Sequence, residues 1–355
     1  MPLLDGVRVI ELSTDAGIAA CGRVLAGWKA EVIKIETRQD ADCDMCEKLF
    51  RDVLNSGKKT LELDLDTDEG QSALDGLLAG ADVFLTGFAD SAPKWPVPEY
   101  EVLSAKYPSM IYATLSAYGS RGKLADVKGT GSVSFWARSG FTGFFGEPDA
   151  PPVTPLPGMD TQVSGTFLAN GVAAALIGRI GTGRGEKVET SMYHSAIWAA
   201  GLFNATSNYW ENPRKTRKKP DAPLINSFCA RDGKWFYTAI MEHERHWPLL
   251  CACFDRPDLA DDERFSVFRN AVSASSELTS LLDDAFAAKD RSVWLTLFKE
   301  KDIPAGAIFD AHEVLNDIQA EKNGYIEIRA DEAGHSVRVP SPPTHFNGDD
   351  QNGTA

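Results

Sequence analysis

Val7-Arg8-Val9-Ile10-Glu11-Leu12, then Ala16 to Leu25, then Glu31-Val32-Ile33-Lys34-Ile35-Glu36: the reading of this stretch decides the fold. The outer runs are short, apolar and rich in β-branched residues, so they read as buried strands. The middle run carries small residues at helical spacing. Strand, helix and strand make a βαβ unit with a right-handed crossover. Working outward, Leu61–Leu65 reads as a short alternating strand. Thr67-Asp68-Glu69-Gly70-Gln71 reads as a helix start, with a Thr cap and acids in the first turn. Asp82–Thr86 and Met110–Leu115 are two further buried strands. This alternation predicts an α/β fold with a doubly wound, Rossmann-like parallel sheet.

The rest of the chain divides by composition. Residues 140–158 are dense in Gly and Pro and read as a loop. Thr161–Arg179 reads as an apolar helix, Gly181–Gly185 as a turn, Glu186–Glu189 as a strand and Ser191–Tyr209 as a second apolar helix. The large domain is therefore expected over 1–211, with a polar linker over 212–220. A hairpin, Ile225–Ala230 and Trp235–Ile240 about the turn Arg231-Asp232-Gly233, opens a smaller α+β domain over 221–325. Residues 326–355 contain a hairpin around Gly334. The polar end, Asn347–Ala355, is expected to be disordered.

The 355 residues are 43% hydrophobic and 25% charged, which suits a soluble globular protein of about two domains. Lys+Arg is 36 against Asp+Glu 51, a net charge of −15, which argues against a nucleic acid or an anionic membrane as partner. Six scattered cysteines suit a reducing compartment. Met1–Gly6 has neither a basic nor an apolar signal region. No uninterrupted apolar run long enough to span a bilayer is seen, so no membrane partner and a cytoplasmic location are expected.

Several motifs carry residues capable of chemistry. Cys43-Asp44-Met45-Cys46 lacks a second pair to complete a metal site. His243-Glu244-Arg245-His246 spaces its histidines at i and i+3, not the i and i+4 of a zincin helix, and reads as a solvated helix start. No metal is expected. Gly178, Gly181, Gly183 and Gly185 follow a helix and lack the Lys-Ser/Thr of a phosphate loop, so they read as a helix C-cap and turn. No Gly-x-Gly-x-x-Gly follows the first strand. Pro157-Gly158-Met159-Asp160-Thr161 enters the apolar helix. Asp160 is there either an N-cap or a nucleophilic carboxylate at a loop–helix junction. Trp136, Phe141, Phe144 and Phe145 are candidates for an acyl pocket, with core packing as the alternative.

Taken in order, these motifs resemble a known family. They are Leu4 to Leu12, Ala16 to Ala20, Ala30 to Glu36, Asn55-Ser56-Gly57-Lys58-Lys59-Thr60-Leu61-Glu62-Leu63-Asp64-Leu65, Tyr112-Ala113-Thr114-Leu115-Ser116-Ala117-Tyr118-Gly119 and Thr182 to Val188. Over residues 4 to 346 the chain resembles the family III CoA-transferases, the formyl-CoA and carnitine CoA-transferase group. Phe135 to Gly140 and Ser191 to Ala196 look closest to its aryl-lactate and 2-hydroxyacyl branch. The resemblance implies a large domain that contains both termini, so that residues 326–355 return to it, and two ring-like protomers interlocked in a homodimer, or in a heterodimer with a paralogue. It implies transfer of CoA from an acyl-CoA to a small organic acid through aspartyl anhydride and thioester intermediates. CoA would lie near Ala16, Gly17, Arg38, Leu63, Gly87, Phe88 and Lys128, positions that fall on the family's CoA-contacting segments. Trp136, Phe141 and Phe145 would line the substrate pocket.

The chain departs from the family pattern at a few positions. The family's catalytic Asp stands four residues before a Gly at the helix start. Counting back from Gly165 reaches Thr161, with Asp160 one residue earlier. Gly131 stands where the family often has an acid, Asp66 where it has a Lys, and the family's usual C-terminal segment is not found beyond Phe346. The expected catalytic residues are Asp160 and Thr161. The alternatives are a catalytically degenerate paralogue that binds CoA as a structural subunit, and an acyl-CoA racemase. The racemase reading needs a His near Thr130, and no His precedes His194.

Overall fold

The computed structural model describes residues 3–37, 45–87, 97–127, 129–153, 155, 157–211, 213–330, 334 and 336–346. The expectations for Asn347–Ala355, and the roles expected of Arg38, Phe88 and Lys128, fall outside these residues. The chain forms two compact units: Met1–Gly143 with Val153–Asn212 and Gln319–Ala355, and Phe144–Pro152 with Pro213–Ile318.

The first unit is built on β1 (Arg8–Ser13), α1 (Ala16–Gly27), β2 (Glu31–Glu36), α2 (Met45–Asn55), β3 (Lys59–Glu62), α3 (Asp68–Leu78), β4 (Val83–Gly87), α4 (Tyr100–Lys106) and β5 (Ile111–Ser116). A π-helix, Ser132–Ala137, and the short α5 (Phe141–Phe144) precede α6 (Met159–Thr182), β6 (Lys187–Ser191), α7 (Met192–Ala199) and α8 (Gly201–Thr206). Six strands pair in the order β3-β2-β1-β4-β5-β6. Every pairing is parallel. The order reverses between β1 and β4, which opens a crevice at the carboxyl ends of those strands. Val9, Ile10 and Leu12 of β1 and Val83, Phe84 and Leu85 of β4 are buried, as a parallel sheet covered on both faces requires.

Three details differ from the sequence reading. The third strand is Lys59–Glu62, earlier than Leu61–Leu65. The 140–158 segment is not all loop, since Phe141–Phe144 makes one helical turn. The helix expected over Ser191–Tyr209 breaks at Ala200, whose φ of −91° and ψ of 7° leave helical geometry, so α7 and α8 are separate. The Thr67 cap is present, its hydroxyl accepting from the Gly70 N–H at 3.1 Å. Helix α6 is long and apolar enough on average to cross a membrane by length and composition, although Asp160, Gln162, Asn170 and Arg179 interrupt its apolar run. Here it packs as a core helix on α1, β5 and β6.

The sheet of the first unit contains a charged group where apolar residues would be expected. Glu11 of β1 is fully buried, and Lys58 donates to it at 2.7 Å and to the Ala19 carbonyl at 2.8 Å. Lys34 of β2 lies 3.5 Å from the other carboxylate oxygen. Burial pulls the Lys58 pKa down, and the Glu11 carboxylate opposes that. Gly22 leaves room for this pair, because a Cβ there would meet Glu11 Oε2 at 2.0 Å. Cys21, beside it, is buried, and desolvation pushes its thiol well above the ordinary range.

The second unit holds the antiparallel sheet β7 (Ile225–Cys229), β8 (Trp235–Ala239) and β9 (Ala305–Ala307). Its helices include α9 (His243–Cys253), α10 (Glu263–Ser266), α11 (Phe268–Ser273), α12 (Ser275–Phe286) and α13 (Arg291–Glu300). The β7–β8 pairing runs from Ile225 against Ala239 to Cys229 against Trp235. Phe228, Phe236, Phe265, Phe286, Trp294 and Phe298 fill its core. In the first unit, β10 (Ile326–Ala330) and β11 (Ser336–Pro340) form the hairpin expected about Gly334.

Candidate active site

The candidate site gathers at the carboxyl edge of the parallel sheet. The turn after β1 is tied down by polar contacts. The Ser13 hydroxyl donates to the Gly87 carbonyl at the end of β4. The Asp15 N–H donates to Ser13 Oγ at 2.9 Å, and the Asp15 carboxylate caps α1 by accepting from Gly17 N–H at 2.7 Å and Ile18 N–H at 3.2 Å. Three of the expected CoA positions flank this turn. Ala16 is exposed and Gly17 buried at the start of α1, and Gly87 closes β4. Leu63 follows β3, bonded through its N–H to the Glu36 carbonyl. The glycines are dictated by space. A Cβ on Gly17 would meet Leu115 Cδ2 at 2.4 Å, and one on Gly87 would meet Ile18 and the Leu115 carbonyl at 3.0 Å.

Helix α6 is locked against α1 at Gly165, where a Cβ would meet the Gly17 carbonyl at 2.5 Å and Ala20 Cβ at 2.6 Å. Asp160 therefore has a definite place. It is the second residue of α6, and the N-cap is Gly158, at φ +104°. Asp160 is thus not the N-cap that propensity suggested. Its carboxylate reaches back to accept the Gly158 N–H at 3.1 Å, and the residue is 8% exposed. The other face of the carboxylate lies over Gly131, where a Cβ would come within 1.3 Å of Oδ2. Only glycine at 131 admits the carboxylate there. Thr161 is half-buried, and its carbonyl is 3.8 Å from where a Gly17 Cβ would stand.

The aromatic candidates separate. Phe135, Trp136 and Phe141 pack together with ring centroids 5.5 Å apart, and all three are buried. Phe145 is 47% exposed and belongs to the second unit. His243 and His246 are buried, not solvated as read: His243 Nε2 bonds the Phe265 carbonyl at 2.6 Å and His246 Nδ1 the Glu242 carbonyl at 2.9 Å. Gly183 is the left-handed C-cap of α6, its N–H bonded to Arg179 O. Cys43 lies outside the described residues, as does the side chain of Cys46.

Sequence reasoning missed two constellations. One is the buried Glu11–Lys58 pair, for which the signals were an acid inside an apolar strand and the paired lysines at 58 and 59. The other is Arg138, held over the Tyr118 and Tyr193 rings at 5.9 and 5.5 Å. Its signal was a lone cation directly after an apolar aromatic run.

Comparison with known proteins agrees with this architecture. The pattern of CoA-transferase family III matches residues 4–354, and the chain belongs to that family. Its class of reaction is the transfer of CoA between an acyl-CoA thioester and an organic acid. The chain is 28% identical to (R)-2-hydroxy-4-methylpentanoate CoA-transferase of Clostridioides difficile, over 97% of this chain and 89% of that one. It is 29% identical to cinnamoyl-CoA:phenyllactate CoA-transferase of Clostridium sporogenes, over 91% and 82%. A CaiB/BaiF family protein of Brucella suis shares the fold, with a TM-score of 0.84 at 24% identity, over 97% of this chain and 92% of that one.

Proposed function

We propose that this chain moves CoA onto a 2-hydroxy or aryl-substituted carboxylic acid, with the Asp160 carboxylate as nucleophile. The observation that carries the reading is a buried carboxylate in the first turn of α6, where that helix packs on the start of α1 at the sheet's carboxyl edge. The first-turn N–H groups of a helix lack intrahelical partners and favour the negative charge that develops during acyl transfer. The Asp160 oxygen attacks the donor thioester carbon, the C–S bond breaks, and a mixed anhydride and CoA thiolate result. The thiolate attacks the Asp160 carbonyl and expels the donor acid, leaving an aspartyl-CoA thioester. The acceptor carboxylate then attacks that carbonyl, and the returning thiolate takes the acceptor acyl group and frees Asp160. No external proton or oxidant enters the sum. Ala16, Gly17, Leu63 and Gly87 would line the CoA path, joined by Arg38, Phe88 and Lys128. The acid class follows the two 2-hydroxy and aryl-lactate relatives.

Trapping tests this directly. Incubation with cinnamoyl-CoA and hydroxylamine or borohydride is expected to mark Asp160 in the mapped peptide. Asp160→Asn is expected to remove the adduct and at least about a thousand-fold of kcat, as loss of a covalent nucleophile does. An unmarked Asp160 in an active enzyme rejects the assignment.

A second reading is favoured by one observation: Thr161 occupies the family's nucleophile spacing while the Asp160 carboxylate is seated on Gly131. In that reading the chain is the CoA-binding subunit of a heterodimer with an active paralogue. Assembly in pairs is supported in either case by the apolar side chains left exposed on α6 to α8 and just after, including Ile180, Trp198, Leu202 and Tyr209. Native mass spectrometry of the purified chain separates the two: an active, self-sufficient homodimer rejects the heterodimer. A cytoplasmic location is part of the proposal and is supported by the scattered thiols alone.

A further inference from the structure

We propose that Arg138 is an anion-recognition residue that takes the carboxylate of the acid substrate. The inference rests on the CoA-transfer reading above and extends it to a residue that reading does not use.

Arg138 caps the π-helix Ser132–Ala137 and is exposed. Its guanidinium lies over two rings, 5.9 Å from the centroid of Tyr118 and 5.5 Å from that of Tyr193. Both rings are half-buried and meet edge to face at 6.3 Å. Their placement is dictated by the sheet. Tyr118 comes two residues after Ser116, the last residue of β5, and Tyr193 two residues after Ser191, the last of β6. Those two strand ends are register partners. The Tyr193 N–H also donates to the Ala117 carbonyl at 3.1 Å, which fixes the pair. The cation therefore sits at the carboxyl edge of the sheet, where open α/β sheets bind their ligands.

The guanidinium lies within cation–π distance of both rings, a contact that uses none of its N–H donors. Among the described residues no carboxylate or carbonyl accepts them. A planar fork of donors matches an oxyanion in bidentate fashion. The chain's net charge is −15, so its long-range field repels an anionic acid, and a fixed local cation offsets that. The π-helix that ends at Arg138 begins next to Gly131, on which the Asp160 carboxylate lies. One short element thus carries the cation at one end and borders the proposed nucleophile at the other.

The oxyanion has two possible sources, the substrate carboxylate and the phosphates of CoA, and titration separates them. (R)-Phenyllactate, its neutral amide and CoA are titrated into the full chain and followed by ligand-observed NMR. The wild type is expected to bind the acid more tightly than the amide by about ten-fold or more, the range of a charged hydrogen-bonded contact. Arg138→Gln is expected to erase that preference and leave CoA affinity within about two-fold, at an unchanged melting temperature. Arg138→Lys keeps the charge without the fork and is expected to recover part of the acid affinity, which covers the case of a poorly folded Gln variant. An acid preference that survives in both variants overturns the inference. Loss of CoA affinity with acid binding intact overturns it too, and makes this a phosphate contact. A wild type that binds CoA but neither phenyllactate nor 2-hydroxy-4-methylpentanoate rejects the acid class proposed above, and this inference falls with it.

Discussion

Around Phe286 in the second unit, the rings of Phe228, Phe236, Phe254, Trp294 and Phe298 have centroids 4.8 to 6.0 Å away. The polar edges there are closed off: the Trp294 indole donates to the Phe286 carbonyl and the Trp247 indole to the Leu259 carbonyl, both at 2.8 Å. The carboxyl edge of the parallel sheet also has a buried part, yet that part is built from Gly17, Gly87, Gly131 and Gly165 with Ser13, Asp15, Asp160 and Ser164 among them. Thr86 and Ser164 hydroxyls there find no partner among the described residues. One region spends its interior on area removed from water. The other keeps small residues and polar groups at close quarters, which stabilises less and leaves chemistry within reach.

Three changes break or sharpen this contrast. Phe286→Ala acts on the packed region and is expected to cost about 3–5 kcal/mol in urea unfolding, the cost of a large cavity. Turnover per folded molecule should hold, and a drop in kcat larger than the loss of folded protein would blur the distinction. Gly131→Ala acts on the polar edge. Its methyl group cannot coexist with the present position of the Asp160 carboxylate, so kcat is expected to fall about a hundred-fold, as for a misplaced reacting group. KM for the acyl-CoA should move little, and the overpacking is expected to cost about 1–3 kcal/mol of stability; full activity would mean the carboxylate need not rest there. The smallest effect belongs to Glu31→Gln on the surface, a place that neither packs nor reacts. Hydrogen bonds from Lys59 and Arg8 hold the Glu31 carboxyl at about 2. A depressed carboxyl contributes stability that is present above its unfolded value of about 4.5 and is lost as pH falls toward 2. The variant should therefore flatten stability against pH in that window and leave pH 7 activity alone; an unchanged acid limb would show the pair contributes nothing.

Much of the first unit was legible because its strands are unbroken apolar runs separated by helical spacing, and that pattern has few other solutions. Val9, Ile10 and Leu12 announce a strand buried on both sides. The break at Ala200 was not legible, since alanine favours a helix and only the surrounding packing decides otherwise. The position of Asp160 was half legible. Propensity pointed to a cap, and family spacing pointed one residue along. The actual seat depends on a side chain missing from residue 131, a contact with no trace in the neighbouring sequence. The histidines at 243 and 246 misled for the same reason. Their partners are main-chain carbonyls, and that of His243 is supplied by a residue well along the chain.

The close meeting of Gly165 with Gly17 and Ala20 fixes the register of the helix that bears Asp160. Two helices that touch backbone to backbone cannot slide past each other by a residue, so an acid displaced along the sequence is not carried back by shifting the helix that bears it. The place of the Asp160 carboxylate is therefore set by the wall that receives it, which is bare at residue 131.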